Sequence, residues 1–315
     1  MNRVVLIYAA GRGSRMKHHT NTIPKCLLKI NGKTIIEHQV ESCLKAGLRD
    51  IVVILGYKGE AIKRILGRKA RYVWNKKFAT TQTLYSLHCS RKACKGQAVI
   101  HIDGDNYFDP SLLKRIVKSP LQNAQLIDFN VKLDEEATKA VVMDKRLRYV
   151  DKSIPLHIAS GECVGILKLG SSMSRKLYEQ ARKFARQRRF DSHVHNGMNK
   201  LLLDNFVAAI PTNNAYWIEI DFEKDLARAR EMAQTNIRPY AKEKQKMRNR
   251  SAHAKRISLA MQIGENQYKQ PRPKGRGILR AKNMKKRDAT EVVYSENLWR
   301  PKSPQPKGRG FKFSL

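Results

Sequence analysis

A glycine-bearing loop, Gly11-Arg12-Gly13-Ser14-Arg15, follows directly on the apolar run from Val4 to Tyr8, and Pro24-Lys25 closes the stretch. Two glycines let the backbone turn tightly and let a ligand come close to the main chain. Exposed N–H groups in such a turn favour anions, and Arg15 and Lys25 bring fixed positive charge to the same place. The chemistry is phosphate binding. Two acidic pairs could complete it. His101-Ile102-Asp103-Gly104-Asp105 ends a predicted strand with two carboxylates, which alternation puts on one face, and Glu219 and Asp221 repeat the arrangement after Tyr216-Trp217-Ile218. Acidic strand ends beside a phosphate cradle suit a hard cation, because Mg²⁺ takes one or two carboxylates plus substrate phosphates. Each pair also has a plain reading as a helix cap or a solvated strand end. Asp221 stands just before a predicted helix, so capping is its rival role.

The loop is not a dinucleotide fingerprint, since Met16 stands where the third glycine belongs. It is not a Walker A loop either, since no Gly-Lys-Ser/Thr follows. The elements around it must therefore decide. Val4 to Tyr8 reads as a parallel strand buried on both faces. Thr34-Ile35-Ile36-Glu37 is a capping box, opening a helix with apolar Ile36, Val40, Cys43 and Leu44 that Gly47 ends. Strands are predicted over 51–55, 71–74 and 98–102, and helices over 59–66 and 80–93. Asp109-Pro110 starts a further helix. Such alternation means a parallel sheet covered on both faces, with ligands bound at its carboxyl edge. Beyond about residue 120 come short strands over 125–131, 140–144 and 147–150, the last two a hairpin across Lys145-Arg146. Strands over 162–169, 206–210 and 216–220 follow, with helices over 171–187, 196–203 and 222–233.

Read in order, Ala9-Ala10-Gly11-Arg12-Gly13-Ser14-Arg15-Met16, Pro24-Lys25-Cys26-Leu27-Leu28, Asn31-Gly32-Lys33 and Gly56-Tyr57 form one set of matching motifs. Tyr85-Ser86-Leu87, Asp103-Gly104-Asp105, Ser160-Gly161-Glu162-Cys163-Val164-Gly165 and Trp217-Ile218-Glu219-Ile220-Asp221 continue it. Together they resemble the sugar-phosphate nucleotidyltransferase superfamily, and most nearly its CTP:phosphocholine and related phosphoalcohol cytidylyltransferases. The likeness spans residues 3–233. It implies a Rossmann-like, GT-A-like three-layer α/β sandwich on a mostly parallel mixed sheet. The domain would be 1–234, with a nucleotide-binding half (1–120) and a substrate-binding half (121–234).

The resemblance also implies roles. Gly11 and Gly13 would hold the triphosphate of a nucleoside triphosphate, CTP by the nearest branch, with Ala9, Ala10, Asp103 and Gln82 on the nucleotide. Gln82 belongs to Thr81-Gln82-Thr83, where relatives often carry Asn-Asn. Arg15 would neutralise the leaving pyrophosphate and Lys25 the α-phosphate, while Asp105 and Asp221 would hold Mg²⁺. Lys152 would meet the phosphate of the acceptor, a small phosphorylated alcohol or a sugar phosphate; its plain reading is a hairpin-edge lysine in water. Glu162 could contact ribose, a sugar hydroxyl or a quaternary amine, and Glu219 is placed with the substrate. Trp74, Tyr85, Tyr216 and Trp217 are candidates to cage a choline head. The alternatives are a sugar-1-phosphate nucleotidyltransferase using UTP, GTP or dTTP, and a polyanion-binding protein that keeps the fold without turnover.

Charge sets a second theme. The chain of 315 residues carries 63 Lys+Arg against 27 Asp+Glu, a formal net charge of +36. Such a field predicts association with polyanions and says nothing of fold. Roughly +17 of it falls in residues 235–315, a low-complexity tail with few core-forming residues, expected to be largely disordered but for a helix over 241–262. Pro-Lys-Gly-Arg-Gly recurs there at 273–277 and 306–310. Nucleic acid or an anionic surface is the expected partner of this tail. Five scattered cysteines without a CxxC pattern point to reduced thiols in a cytoplasmic protein. No stretch approaches the roughly 20 apolar residues that span a bilayer.

Overall fold

Strand β1 (Arg3–Ala9) lies inside a nine-stranded sheet in the computed structural model, which describes residues 3–16 and 19–235. Its side chains from Val4 onward are buried on both faces, as the continuous apolar run requires. After the short helix α1 (His19–Thr22), strands β2 (Lys29–Ile30) and β3 (Lys33–Thr34) form a hairpin. It turns at Asn31-Gly32, both at positive φ, 47° and 80°. Asn-Gly is the strongest short-range hairpin signal, and the sequence reading passed over it as an element. The hairpin delivers the chain to α2 (Ile35–Lys45), whose capping box is complete: Thr34 Oγ1 accepts from Glu37 N, and the Glu37 carboxylate accepts from Thr34 N.

Next come β4 (Asp50–Leu55), α3 (Gly59–Leu66), β5 (Arg71–Trp74), α4 (Thr83–Ser90), β6 (Ala98–Asp103), β7 (Asn106–Phe108) and α5 (Pro110–Lys118). Asp109 caps α5 by accepting from Ser111 N at 2.8 Å. The second half holds β8 (Ala124–Asp128), β9 (Lys139–Met143), β10 (Arg146–Asp151), β11 (Gly161–Leu169), α6 (Ser171–Arg186), α7 (Val194–Leu202), β12 (Ala208–Pro211), β13 (Trp217–Glu219) and α8 (Glu223–Thr235). The sheet order is β5-β4-β1-β6-β11-β8-β12-β10-β9. Pairing is parallel from β5 to β6, and β11 then joins antiparallel to β6 and opens the second half.

Alternation along β1 feeds two layers. Val5, Ile7 and Ala9 join a core with Ile36 and Val40 of α2 and Leu112 and Ile116 of α5. Val4, Leu6 and Tyr8 face Leu84 and Leu87 of α4 and Leu177 of α6. Each buried aliphatic side chain contributes about 1.5–3 kcal/mol, which is what holds both helix layers to the sheet. The result is the expected three-layer α/β sandwich.

Several expectations shift. The helix placed over 80–93 covers only Thr83–Ser90, because Phe78–Thr80 forms a separate 3₁₀ turn. The strand placed over 125–131 stops at Asp128. The hairpin turns one residue earlier than expected, at Asp144 (φ 49°) and Lys145 (φ 62°). All five cysteines are free. Among the described residues no helix is long and apolar enough to cross a membrane. The expected tail helix, the tail's disorder and its partner lie outside the described residues.

Candidate active site

The turn after β1 is built around close backbone approach. Gly13 sits at φ +70°, and a Cβ there would stand 2.8 Å from Lys25 Cβ. Gly13 O accepts from Met16 N and Thr20 Oγ1, which fixes the turn. A Cβ on Gly11 would meet nothing within 4 Å, so its space is open to a ligand. Ala10 O accepts from Tyr57 N, and Tyr8 O accepts from Gly104 N, so the segments after β4 and β6 are drawn to the same edge of the sheet.

Lys25, on a 3₁₀ turn behind Pro24, reaches the carboxyl edge. Its Nζ lies 2.7 Å from Asp105 Oδ2 and 2.8 Å from Asp221 Oδ1. Burial opposes its charge, but the two carboxylates outweigh that, and its pKa is raised above the ordinary lysine value. The acidic residues meet because β7 pairs antiparallel with β13, Glu219 opposite Asn106, and Ile220 N donates to Asp105 O. Asp105, Glu219 and Asp221 each place a carboxylate oxygen within 4.8 Å of the others, and this is the group of three among the described residues that could hold a metal ion. The oxygen donors suit a hard divalent cation. Burial and the charges of Asp105 and Asp221 hold the Glu219 carboxyl well above the carboxylate range. Burial acts the same way on Asp221, but Lys25 and Arg15 overcome it and lower its pKa.

Asp225 Oδ2 accepts from Asp221 N and Phe222 N at the start of α8, while the Asp221 carboxylate meets Lys25 and, at 3.0 Å, Arg15 Nη1. Gln39, buried in α2, donates from Nε2 to the carbonyls of Asp103 and Asn106 and so fixes the turn that carries Asp105. Sequence reasoning missed both residues. Asp225 had a signal, standing one helical turn after Asp221; Gln39 had only its polarity on an apolar helix face.

The other predicted residues fall as follows. Asp103 and Asp105 part company: Asp105 faces Lys25, while the Asp103 carboxylate lies against Gly165, where an added Cβ would be 2.4 Å from Oδ2. Burial, with Asp105 adding to it, pushes the Asp103 pKa up to about 7. Ala9 and Ala10 are buried under the loop. Gln82 is exposed at the start of α4, its backbone N donating to Phe190 O. Lys152 stands on the turn after β10, with Nζ 3.8 Å from Glu136 Oε2. Glu162 lines a cleft of about 200 Å³ with Asp128, Asp134, Trp217, Glu219 and Asp221. Burial raises its pKa to about 7, helped by Asp134 and Asp128. Of the aromatic candidates, Tyr216 and Trp217 line that cleft, with Trp217 Nε1 donating to Asp128 Oδ2 at 2.8 Å.

The family model of the MobA-like NTP transferase domain matches residues 5–163, just over half of the chain. The chain belongs to that family. The matched stretch of this NTP transferase domain contains the glycine loop, Lys25, Asp105, Lys152 and Glu162. A choline-phosphate cytidylyltransferase of Streptococcus pneumoniae is 34% identical over 110 residues, 35% of this chain and 47% of that protein. The bifunctional protein GlmU of Symbiobacterium thermophilum is 33% identical over 119 residues, 37% of this chain and 25% of that protein. The matches thus span less than half the length of these relatives. Among solved structures, the CTP:phosphocholine cytidylyltransferase from Streptococcus pneumoniae superposes with TM-score 0.62 at 22% identity, over 74% of this chain and 99% of that one. The inositol-1-phosphate CTP transferase from T. maritima gives TM-score 0.62 at 24% identity, over 74% and 95%. These two likenesses establish the shared fold.

Proposed function

We propose that the protein is a divalent-metal-dependent nucleotidyltransferase that moves a nucleotidyl group, CMP from CTP, onto a small phosphorylated alcohol and releases pyrophosphate. The observation that carries the reading is Lys25 held between Asp105 and Asp221 beside the Gly11–Gly13 turn, a cation and a carboxylate group at one phosphate-sized position. An oxygen of the acceptor phosphate would attack the α-phosphorus in line, and the bond to the leaving pyrophosphate would break. Such transfers need positioning and charge neutralisation more than covalent help. Backbone N–H groups of the turn would hold the triphosphate, Arg15 the pyrophosphate as it leaves, Lys25 the α-phosphate and Lys152 the acceptor phosphate. A magnesium ion on Asp105, Glu219 and Asp221 would neutralise phosphate charge when bound.

The acceptor's head is read from the cleft. Asp128, Asp134 and Glu162 put three carboxylates near Trp217, a setting that favours a cationic head such as choline over a neutral sugar. The relatives support both acceptor classes, so the sugar-1-phosphate reading stays as the second. The test is pyrophosphate release with Mg²⁺, each of four nucleoside triphosphates run against phosphocholine, phosphoethanolamine and sugar 1-phosphates, with Asp105→Ala as control. Release with CTP and a phosphorylated aminoalcohol, lost in the control, is the expected result. Release only with a sugar 1-phosphate selects the second reading, and silence across the panel leaves either an acceptor outside the panel or a binding protein without turnover.

A further inference from the structure

We propose that Glu136 is a positioning residue that pairs with both Arg15 and Lys152, and so sets the cation for the leaving pyrophosphate beside the cation for the acceptor phosphate. The inference rests on the nucleotidyl-transfer reading above. A single oxygen, Glu136 Oε2, lies 3.1 Å from Arg15 Nη1 and 3.8 Å from Lys152 Nζ. Arg15 comes from the turn after β1, and Lys152 from the turn after β10. Two cations brought this close repel each other, and a shared carboxylate offsets the repulsion.

The backbone that aims this carboxylate is itself pinned. Asp134 Oδ1 accepts from Glu136 N at 3.0 Å and from Ala137 N at 2.9 Å. Lys139, fully buried, gives its ammonium to the carbonyls of Asp134 (3.0 Å), Glu135 (3.2 Å) and Ala137 (3.3 Å). A buried ammonium is costly unless its donors are used, and here all three go to one hook of chain. Leu133, at the start of the hook, packs with Tyr149 and Ile154, which flank the turn bearing Lys152. This packing ties the hook that carries Glu136 to the segment that carries Lys152. The ion pair could not do so alone, because the Glu136 side chain is 63% exposed and such pairs are weak.

Arg15 has a second anchor in Asp221 Oδ2 at 3.0 Å. Asp221 is also one of the three residues that would hold a metal ion, so its carboxylate would be shared between that ion and Arg15. Glu136, which is not one of the three, would then help to keep Arg15 in place during the reaction.

The test is calorimetric titration of the full chain with pyrophosphate, using wild type, Glu136→Gln, Glu136→Asp, Arg15→Ala and the Arg15→Ala/Glu136→Gln pair. Glu136→Gln keeps the shape and removes the charge, and its thermal midpoint should match wild type. Pyrophosphate should bind it about 5–10-fold more weakly, Glu136→Asp should recover part of the loss, and without Arg15 the same change should matter less than about twofold. Unchanged or tighter binding by Glu136→Gln overturns the proposal; tighter binding is what a carboxylate merely occupying a phosphate position would give. The full effect persisting without Arg15 overturns it as well. A wild-type protein that binds no pyrophosphate and shows no turnover removes the underlying reading and this proposal with it. A wild type that does both, matched by Glu136→Gln, removes the role of Glu136 alone.

Discussion

Lys25 Nζ stands 2.8 Å from Asp221 Oδ1, a contact between residues 196 positions apart in sequence. With Asp105 on its other side, the ammonium satisfies in the free protein the carboxylates that a divalent cation would claim. The same lysine is the group proposed for the α-phosphate, so substrate and metal would arrive against an internal ion pair.

Lys25→Ala should therefore separate metal binding from catalysis. Without the competing ammonium, Mn²⁺ in the absence of nucleotide should bind about tenfold more tightly, read by electron paramagnetic resonance or calorimetry. Pyrophosphate release should fall at least ~100-fold, the scale of a lost charge contact at a transition state. Removing one partner of a mostly buried pair should also lower stability by about 3 kcal/mol, which added Mn²⁺ should partly restore. Unchanged Mn²⁺ affinity would show that Lys25 does not hold the cation position.

The parts of this site that could be read in the sequence are those with local causes. A buried strand followed by Gly11 and Gly13, and the Thr34–Glu37 capping box, are recorded in neighbouring residues, and both stand as expected. Alternation assigned Asp103 and Asp105 to one face, but the chain leaves the strand at Gly104, and the two carboxylates diverge. The sequence pairs Glu219 with Asp221 at a strand end suited to a cation and the resemblance gives it to the substrate; its place beside Asp105 depends on the β7–β13 pairing, whose register no local pattern records. Gln39 and Glu136 were invisible for the same reason, since each acts on residues far along the chain.

The two loop glycines should fail differently. Gly13→Ala meets positive φ and a Cβ 2.8 Å from Lys25 Cβ, so it should lose about 1–2 kcal/mol of stability and displace Lys25. A Cβ on Gly11 touches nothing, so Gly11→Ala should unfold within about 1 °C of wild type yet bind nucleotide at least ~10-fold more weakly. Thermal melts with and without CTP make the comparison. Equal nucleotide affinity in Gly11→Ala would show that the triphosphate lies elsewhere.

Asp221 and Asp225 are expected to differ, Asp221 acting on the metal and Asp225 on the backbone at the start of α8. Asp225→Ala removes the acceptor for Asp221 N and Phe222 N and should cost about 1 kcal/mol of stability, with Mn²⁺ affinity reduced only about threefold. Asp221→Asn should instead lower Mn²⁺ affinity at least ~30-fold. The reverse order of metal affinities would make Asp225, not Asp221, the carboxylate that holds the ion.

Glu162 should mark the pH dependence of stability. Burial raises its pKa in the folded protein to about 7, above the ordinary value of 4.5. Between those values the folded state binds the extra proton, so stability from this group is present at low pH and is lost as pH rises through the window. Glu162→Gln lacks that titration. Relative to wild type it should gain nothing below pH 4.5 and up to about 3 kcal/mol by pH 8, measured by urea unfolding at both ends. A cationic acceptor head in the cleft should stabilise the charged carboxylate and narrow the gap at pH 8. A constant offset between the two proteins at every pH would place the Glu162 carboxyl in water, and the reading of a cationic acceptor would lose its main support.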